Sequence, residues 1–79
     1  MARPDVEERL DRVFRQSFAV EGLEEKMCMG SVKGWDSLGH VGLMIALQQE
    51  FGIRISPANA LRLVDVKGIR AFLDENGIV

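Results

Sequence analysis

The chain has 79 residues, of which 47% are hydrophobic, 12 acidic and 10 basic, and its formal net charge is −2. A chain of this length forms one small domain, here residues 1–79, with too little interior for a deep active site. The charge balance and the lack of a basic tract disfavour nucleic-acid binding. No apolar run is long enough to cross a bilayer. The single cysteine excludes an internal disulfide and a metal cluster.

The N-terminal segment, residues 1–5, becomes charged at once and lacks the apolar stretch of a signal peptide, so we expect a cytoplasmic protein. A helix is predicted over residues 4–18, because apolar residues recur there at spacings of three and four: Val6, Leu10, Val13, Phe14 and Phe18. The other face is charged, with acid-first pairs Glu8–Arg12 and Asp11–Arg15, and is expected to be solvated.

Residues 19–35 have no clear period and contain three glycines, which predicts a loop. A loop of this length in so small a domain is often functional. We expect five apolar side chains to hold it against the core: Leu23, Met27, Met29, Val32 and Trp35. We interpret Trp35 as a hydrophobic anchor rather than as a contact for a bound group.

The strongest helix is predicted for residues 37–51, with Asp36 as its N-cap and Gly52 as its C-terminal stop. Its apolar residues form two stripes on nearly opposite sides. Leu43, Leu47 and Phe51, flanked by Met44 and Ala46, make the longer stripe and are expected to face the core. Leu38, Val41 and Ile45 make the shorter stripe, which is then exposed and is interpreted as a partner surface.

Two further helices complete the prediction. After an extended link at residues 53–55, Ser56 caps a short third helix that has proline at its first position and is predicted to continue to about residue 63. Asp65 caps a last helix whose inward side chains are Val66, Ile69, Phe72 and Leu73, and Asn76-Gly77 ends it. The predicted fold class is therefore all-α, with four helices.

Ser37 follows the predicted cap at the positive end of the helix dipole. A phosphate attached there would meet free backbone amides, so the position suits a phosphodiester. Serine is also common in the first turn of helices without any modification, and the residues alone favour that interpretation. His40, three residues later, is placed on the same side of the helix as Ser37, although a hydrogen-bonded structural histidine is the favoured interpretation.

The segments GWDSLGHV at residues 34–41 and ALQQEFGI at residues 46–53 resemble the modification motif and second helix of acyl carrier proteins. Residues 6–10 resemble the first helix of that family, and residues 69–73 its last. The resemblance covers nearly the whole chain. It implies a four-helix acyl-carrier-type bundle, with a short third helix and a long loop between the first two.

The resemblance also implies a function. Ser37 would receive 4′-phosphopantetheine from coenzyme A through a separate phosphopantetheinyl transferase, and the thiol of this cofactor would hold acyl groups as thioesters. Asp36 would order the helix start and assist docking or magnesium binding at the transferase, and Leu38, Val41 and Ile45 would face partners. The further partners implied are an acyl-loading ligase or synthase and acyl-transfer enzymes. The chain itself would be a monomer and no enzyme.

The charges of the second helix depart from those of carriers for primary fatty-acid synthesis, which are acidic there. Residues 37–64 contain one acid, Glu50, against Arg54 and Arg62. Since charge complementarity governs partner choice, we expect a carrier for a specialised lipid, polyketide or related pathway.

Several alternatives remain open at this stage. An aminoacyl or peptidyl carrier would use the same arm and helix, and in an unmodified helical protein-interaction module Ser37 would stay free. A helix-turn-helix DNA binder is disfavoured by an isoelectric point of about 5.3 and by Gly39 and Gly42 in the candidate recognition helix. An enzyme is the least favoured class, because no pattern of catalytic residues is recognisable.

Overall fold

The computed structural model describes residues 4–78, with side chains from residue 6 onwards. Its four helices are α1 (Pro4–Ser17), α2 (Ser37–Phe51), α3 (Pro57–Ala60) and α4 (Val66–Glu75). Within this range there is no strand, only an isolated antiparallel bridge between Cys28 and Asp65. The prediction of an all-α chain with four helices is confirmed.

Helix α1 buries the predicted stripe except for Val6, which is only partly buried, and it ends one residue earlier than predicted. Leu10, Val13, Phe14 and Phe18 are all at most 5% exposed. Phe18 lies just beyond the helix end, and its amide still donates to the Phe14 carbonyl at 2.9 Å.

The expectation of a merely solvated charged face on α1 was wrong. The pair Asp11–Arg15 forms at 2.6 Å, but Arg12 pairs with Glu50 of α2 at 3.2 Å and not with Glu8. Further charged residues of α1 are also bound to other parts of the fold, by three contacts: Arg9 with Glu50, Glu7 with Arg70, and Asp11 with the amide of Leu23. This face therefore joins α1 to α2, α4 and the loop.

The loop between α1 and α2 is anchored as predicted. Trp35 is 1% exposed, and Leu23, Met27, Met29 and Val32 are partly buried against the core. Two backbone hydrogen bonds tie the loop to the start of α4: the Met29 amide donates to the Val64 carbonyl at 2.7 Å, and the Val66 amide to the Met27 carbonyl at 3.0 Å.

Helix α2 faces the core with the predicted stripe. Leu43, Leu47, Phe51 and Met44 are at most 7% exposed, whereas Ala46 is half-buried at the margin. Gly52 ends the helix in the left-handed region with φ of 63°, a conformation that glycine adopts without a Cβ clash.

Helix α3 is shorter than predicted, because it ends at Ala60 instead of near Leu63. Ser56 accepts from the Asn59 amide as the expected cap. Beyond Ala60 the chain tightens, with the Leu63 amide donating to the Ala60 carbonyl three residues back at 3.3 Å, and this turn places Leu63 in the core at 2% exposure.

Helix α4 follows the prediction closely. Asp65 accepts from the Gly68 amide at 2.6 Å, and Asn76 and Gly77 terminate the helix, Gly77 with φ of 78°. Its four inward side chains are at most 7% exposed and complete the core: Val66, Ile69, Phe72 and Leu73.

Candidate functional site

The candidate site is built around the first turn of α2. Asp36 has extended backbone geometry, and its side chain accepts a hydrogen bond from the Gly39 amide at 2.9 Å, while its carbonyl accepts from the His40 amide at 2.8 Å. It is therefore the N-cap that the sequence predicted, and it fixes the point at which the helix begins.

Ser37 is the first residue of α2, and its side chain is exposed. Leu38 next to it is 82% exposed, so the side of the helix start that carries these two residues is open to solvent. The first-turn amides of an α-helix lack carbonyl partners within the helix. The Asp36 side chain satisfies one of them, that of Gly39. An anion bound covalently to the Ser37 oxygen would lie beside these donors and at the positive end of the dipole.

A close backbone contact holds the loop against this turn. Gly34 adopts φ of 91°, and its carbonyl oxygen lies so near Gly39 that a Cβ on Gly39 would be 1.8 Å from it. Only glycine fits at position 39 without moving the backbone. Sequence reasoning missed this contact, although the two glycines five residues apart on either side of the cap were visible.

Trp35 and His40 lock the same turn from inside. The indole Nε1–H donates to His40 Nδ1 at 2.9 Å, and His40 Nε2 lies 2.8 Å from the Ala60 carbonyl oxygen. His40 therefore carries its proton on Nε2 and donates it to Ala60, because Nδ1 must accept. The indole also meets the Phe14 ring edge-on, with ring centroids 5.3 Å apart, and stacks on the Phe18 ring, with ring centroids 5.6 Å apart.

These contacts decide two sequence interpretations. Trp35 is the hydrophobic anchor that we predicted. His40 is the hydrogen-bonded structural histidine that we favoured, and it is 9% exposed. Both of its ring nitrogens already have partners, the Trp35 indole and the Ala60 carbonyl, so neither is free to act on the serine hydroxyl.

The shorter apolar stripe of α2 is exposed, as predicted. Leu38, Val41 and Ile45 are 82%, 55% and 49% exposed. Gly42 lies among them, and a Cβ there would meet nothing within 4 Å. We call these four residues the outer strip.

The one carboxylate of α2 is turned away from the outer strip, toward α1. Glu50 Oε2 accepts from Arg9 Nε at 2.7 Å and from Arg12 Nη2 at 3.2 Å. The hydrogen bond from Arg9, followed by that from Arg12, lowers the pKa of the Glu50 carboxyl, and burial opposes them only partly. The Arg9 guanidinium also lies over the Phe51 ring, 4.7 Å from its centroid.

Ser37 lines none of three grooves in the surface of the described residues. One of about 260 Å³ lies between α1 and α4, with an apolar floor that includes Leu10 and Leu73. In residues 6–78, no three or more His, Cys, Asp or Glu side chains come together as a metal site. No helix in the described part of the chain has the length and apolarity needed to span a membrane.

The structure thus brings Asp36, Ser37 and the outer strip together at one end and along one side of α2. No family model, curated protein or solved structure matches the chain.

Proposed function

We propose that the protein is an acyl carrier that bears 4′-phosphopantetheine on Ser37 and has no catalytic activity of its own. The observation that carries the proposal is an exposed serine at the first position of a firmly capped helix, from which an exposed apolar strip continues. The sequence resemblance described above supports the proposal further, through the motif at residues 34–41 and through the acyl-carrier-type bundle that it implies.

The surroundings of Ser37 suit a covalent phosphodiester. Transfer of the arm joins the Ser37 oxygen to the phosphorus of phosphopantetheine and releases the nucleotide part of coenzyme A. The transferase must supply the base, since His40 is held inward by Trp35 and Ala60. Once the phosphate is attached, the first-turn amides and the helix dipole stabilise its negative charge.

The rigid first turn has a clear use in a carrier. The Gly34–Gly39 contact, the Asp36 cap and the Trp35–His40 pair fix the attachment point, so the flexible arm starts from a defined place and direction. The exposed carboxylate of Asp36 is next to Ser37, where it would assist docking or magnesium binding at the transferase. The outer strip would provide contacts to the transferase, to a loading ligase or synthase, and to acyl-transfer enzymes.

The cargo is proposed to be an acyl group of a specialised lipid, polyketide or related pathway. The basis is the charge of α2, because its single acid is paired with α1 and does not offer an acidic docking face. Loading of an amino acid instead of an acyl group by a candidate ligase would assign the chain to the aminoacyl or peptidyl carriers.

The decisive experiment is arm transfer followed by intact-mass measurement. With coenzyme A and a broad-specificity phosphopantetheinyl transferase, the wild type should gain one arm, and Ser37→Ala should gain none. Ser56→Ala is the matched control, since it removes another exposed serine at the start of a helix and should leave modification intact. If the wild type stays unmodified while a control carrier is loaded, the protein is not a carrier, and an unmodified interaction module becomes the better reading.

A further inference from the structure

Helix α2 has neighbours on two sides and leaves a third side bare. On one side Glu50 pairs with α1. On the other side His40 contacts the Ala60 carbonyl at 2.8 Å, and Gln48 Oε1 accepts from the Ile55 amide at 2.9 Å. The outer strip lies between these two sides, so neither neighbour covers it.

The segment from Ile55 to Ala60 runs antiparallel to α2, because Ile55 lies beside Gln48 and Ala60 beside the earlier His40. Leu61 comes directly after Ala60 and is 79% exposed. It adds an exposed apolar side chain on the α3 side of the helix, next to the residue that His40 contacts. We call the combined surface the docking face, which consists of Leu38, Val41, Gly42, Ile45 and Leu61.

The edge of the docking face along residues 53–62 is positively charged. Arg54 is exposed and precedes Ile55 beside the C-terminal half of α2. Arg62 is exposed and follows Leu61 at the other end, with its Nη1 3.3 Å from Asn59 Oδ1. Between residues 37 and 64 the only acid is Glu50, and its charge is already balanced by Arg9 and Arg12 on the opposite edge of α2.

Gly42 leaves a notch in the middle of the docking face. Glycine inside a helix costs about 1 kcal/mol relative to alanine. The fold gives no reason for this cost, because a Cβ at position 42 would meet nothing within 4 Å. A bare backbone bordered by Leu38, Val41 and Ile45 does give an incoming apolar side chain a place to pack.

We propose that the docking face binds a protein surface in which an apolar side chain fills the notch at Gly42 and carboxylates lie opposite Arg54 and Arg62. This rests on the proposed function in one respect, namely that the partner is an enzyme acting on the arm at Ser37. The positive edge selects acidic partners and rejects basic ones, mainly through the rate of encounter.

A protein partner is favoured over an anionic lipid surface. Peripheral membrane helices commonly place Trp or Phe at the lipid interface. Here every aromatic side chain is at most 7% exposed: Phe14, Phe18, Trp35, Phe51 and Phe72.

Two designed helical peptides of equal length test the proposal. Each carries one leucine stripe, bordered by glutamates in the first and by lysines at the same positions in the second. Titrated into ¹⁵N-labelled, unmodified full chain, the glutamate peptide should shift the amides of Leu38, Val41, Ile45 and Leu61. It should bind about tenfold more tightly than the lysine peptide, and the gap should narrow in high salt.

Three variants sharpen the result. The double change Arg54→Gln and Arg62→Gln should remove the preference for the glutamate peptide, whereas Lys26→Gln in the loop removes an exposed charge elsewhere and should keep it. Gly42→Leu projects into open space, so it should fold normally and weaken binding of both peptides by filling the notch.

Equal binding of the two peptides, no binding of either, or a preference that survives the double arginine change would overturn the proposal. So would vesicles of phosphatidylglycerol and phosphatidylcholine that shift the same amides when neither peptide does. Because the titration uses the unmodified serine, failure of arm transfer would remove the proposed function and leave this result standing, and the reverse also holds.

Discussion

The two faces of α2 carry the same kinds of side chain in opposite environments. Leu43 and Leu47 are at most 1% exposed, whereas Leu38 and Ile45 on the other face are 82% and 49% exposed. The inner face is part of the buried core and packs against α1, whereas the outer face is exposed. In a helix that is apolar on two opposite faces, the face outside the core must be covered by another molecule or remain exposed at a cost to solubility.

The comparison separates stability from recognition. Leucine on the inner face contributes to folding, because its transfer from water happens when the chain folds. Leucine on the outer face gains the same transfer free energy only when a partner covers it. Substitutions on the two faces should therefore change different measurements.

The largest expected effect tests that separation directly. Leu47→Ala removes buried methylenes, and such changes typically cost about 2–5 kcal/mol, which is a large part of the roughly 5–15 kcal/mol available to a domain. Leu38→Ala is the same chemical change on the outer face and should alter the free energy of unfolding by less than about 0.5 kcal/mol. Urea unfolding followed by circular dichroism measures both. If Leu38→Ala proves the more damaging, the assignment of the faces is wrong.

The orientation of α2 was predictable from sequence because it depends on a local period. Leu43, Leu47 and Phe51 recur at intervals of four to the end of the helix, and the caps Asp36 and Gly52 mark its ends by residue type alone. Every one of these signals lies between Asp36 and Gly52.

Apart from the Gly34–Gly39 contact, the features of the site that sequence reasoning missed depend on residues far apart in the chain. Arg9 and Arg12 were expected to be solvated, but their partner Glu50 lies 41 and 38 residues away. The inward turn of His40 needs the Ala60 carbonyl 20 residues later, which no helical wheel of α2 contains. The attachment of the arm to Ser37 remains a prediction, since its support is a motif and an exposed position.

A second substitution tests the side of α2 on which Gly39 lies against the Gly34 carbonyl. Gly39→Ala would put a Cβ 1.8 Å from the Gly34 carbonyl oxygen. Because that oxygen belongs to the backbone and cannot rotate away like a side chain, the loop must move. Overpacking of this kind typically costs about 1–3 kcal/mol. Arm transfer to Ser37 should also slow, because the capped turn shifts. A Gly39→Ala variant that melts and accepts the arm like wild type would show that this contact does not position the serine.

The matched change at Gly42, on the exposed side of α2, should raise the free energy of unfolding instead of lowering it. Gly42→Ala introduces a Cβ into empty space. Alanine has less backbone freedom than glycine in the unfolded chain and therefore loses less entropy on folding, which should stabilise the fold by about 0.5–1 kcal/mol. Thermal melts of Gly42→Ala and Gly39→Ala, recorded side by side, compare the two sides of one helix with one chemical change. Loss of stability in Gly42→Ala would mean that this part of the helix is packed against something.

The smallest effect concerns the charged edge of α2 against α1 and depends on pH. The pKa of Glu50 is lowered in the folded state by Arg9 and then Arg12, so the stabilisation is complete above the pKa of the unfolded glutamate, about 4.3, and is lost as pH falls through the lowered folded value. Glu50→Gln should therefore reduce stability at pH 7 by about 0.2–1 kcal/mol, because the carboxylate is only partly shielded from solvent. Well below the folded pKa the protonated glutamate resembles glutamine, so the difference from wild type should vanish there. Glu25→Gln, at an exposed loop position, should show no difference at either pH. A gap between wild type and Glu50→Gln that stays constant from pH 7 to low pH would assign the loss to packing around Phe51, and the α1 edge of the helix would then be held by contacts of the same apolar kind as its core face.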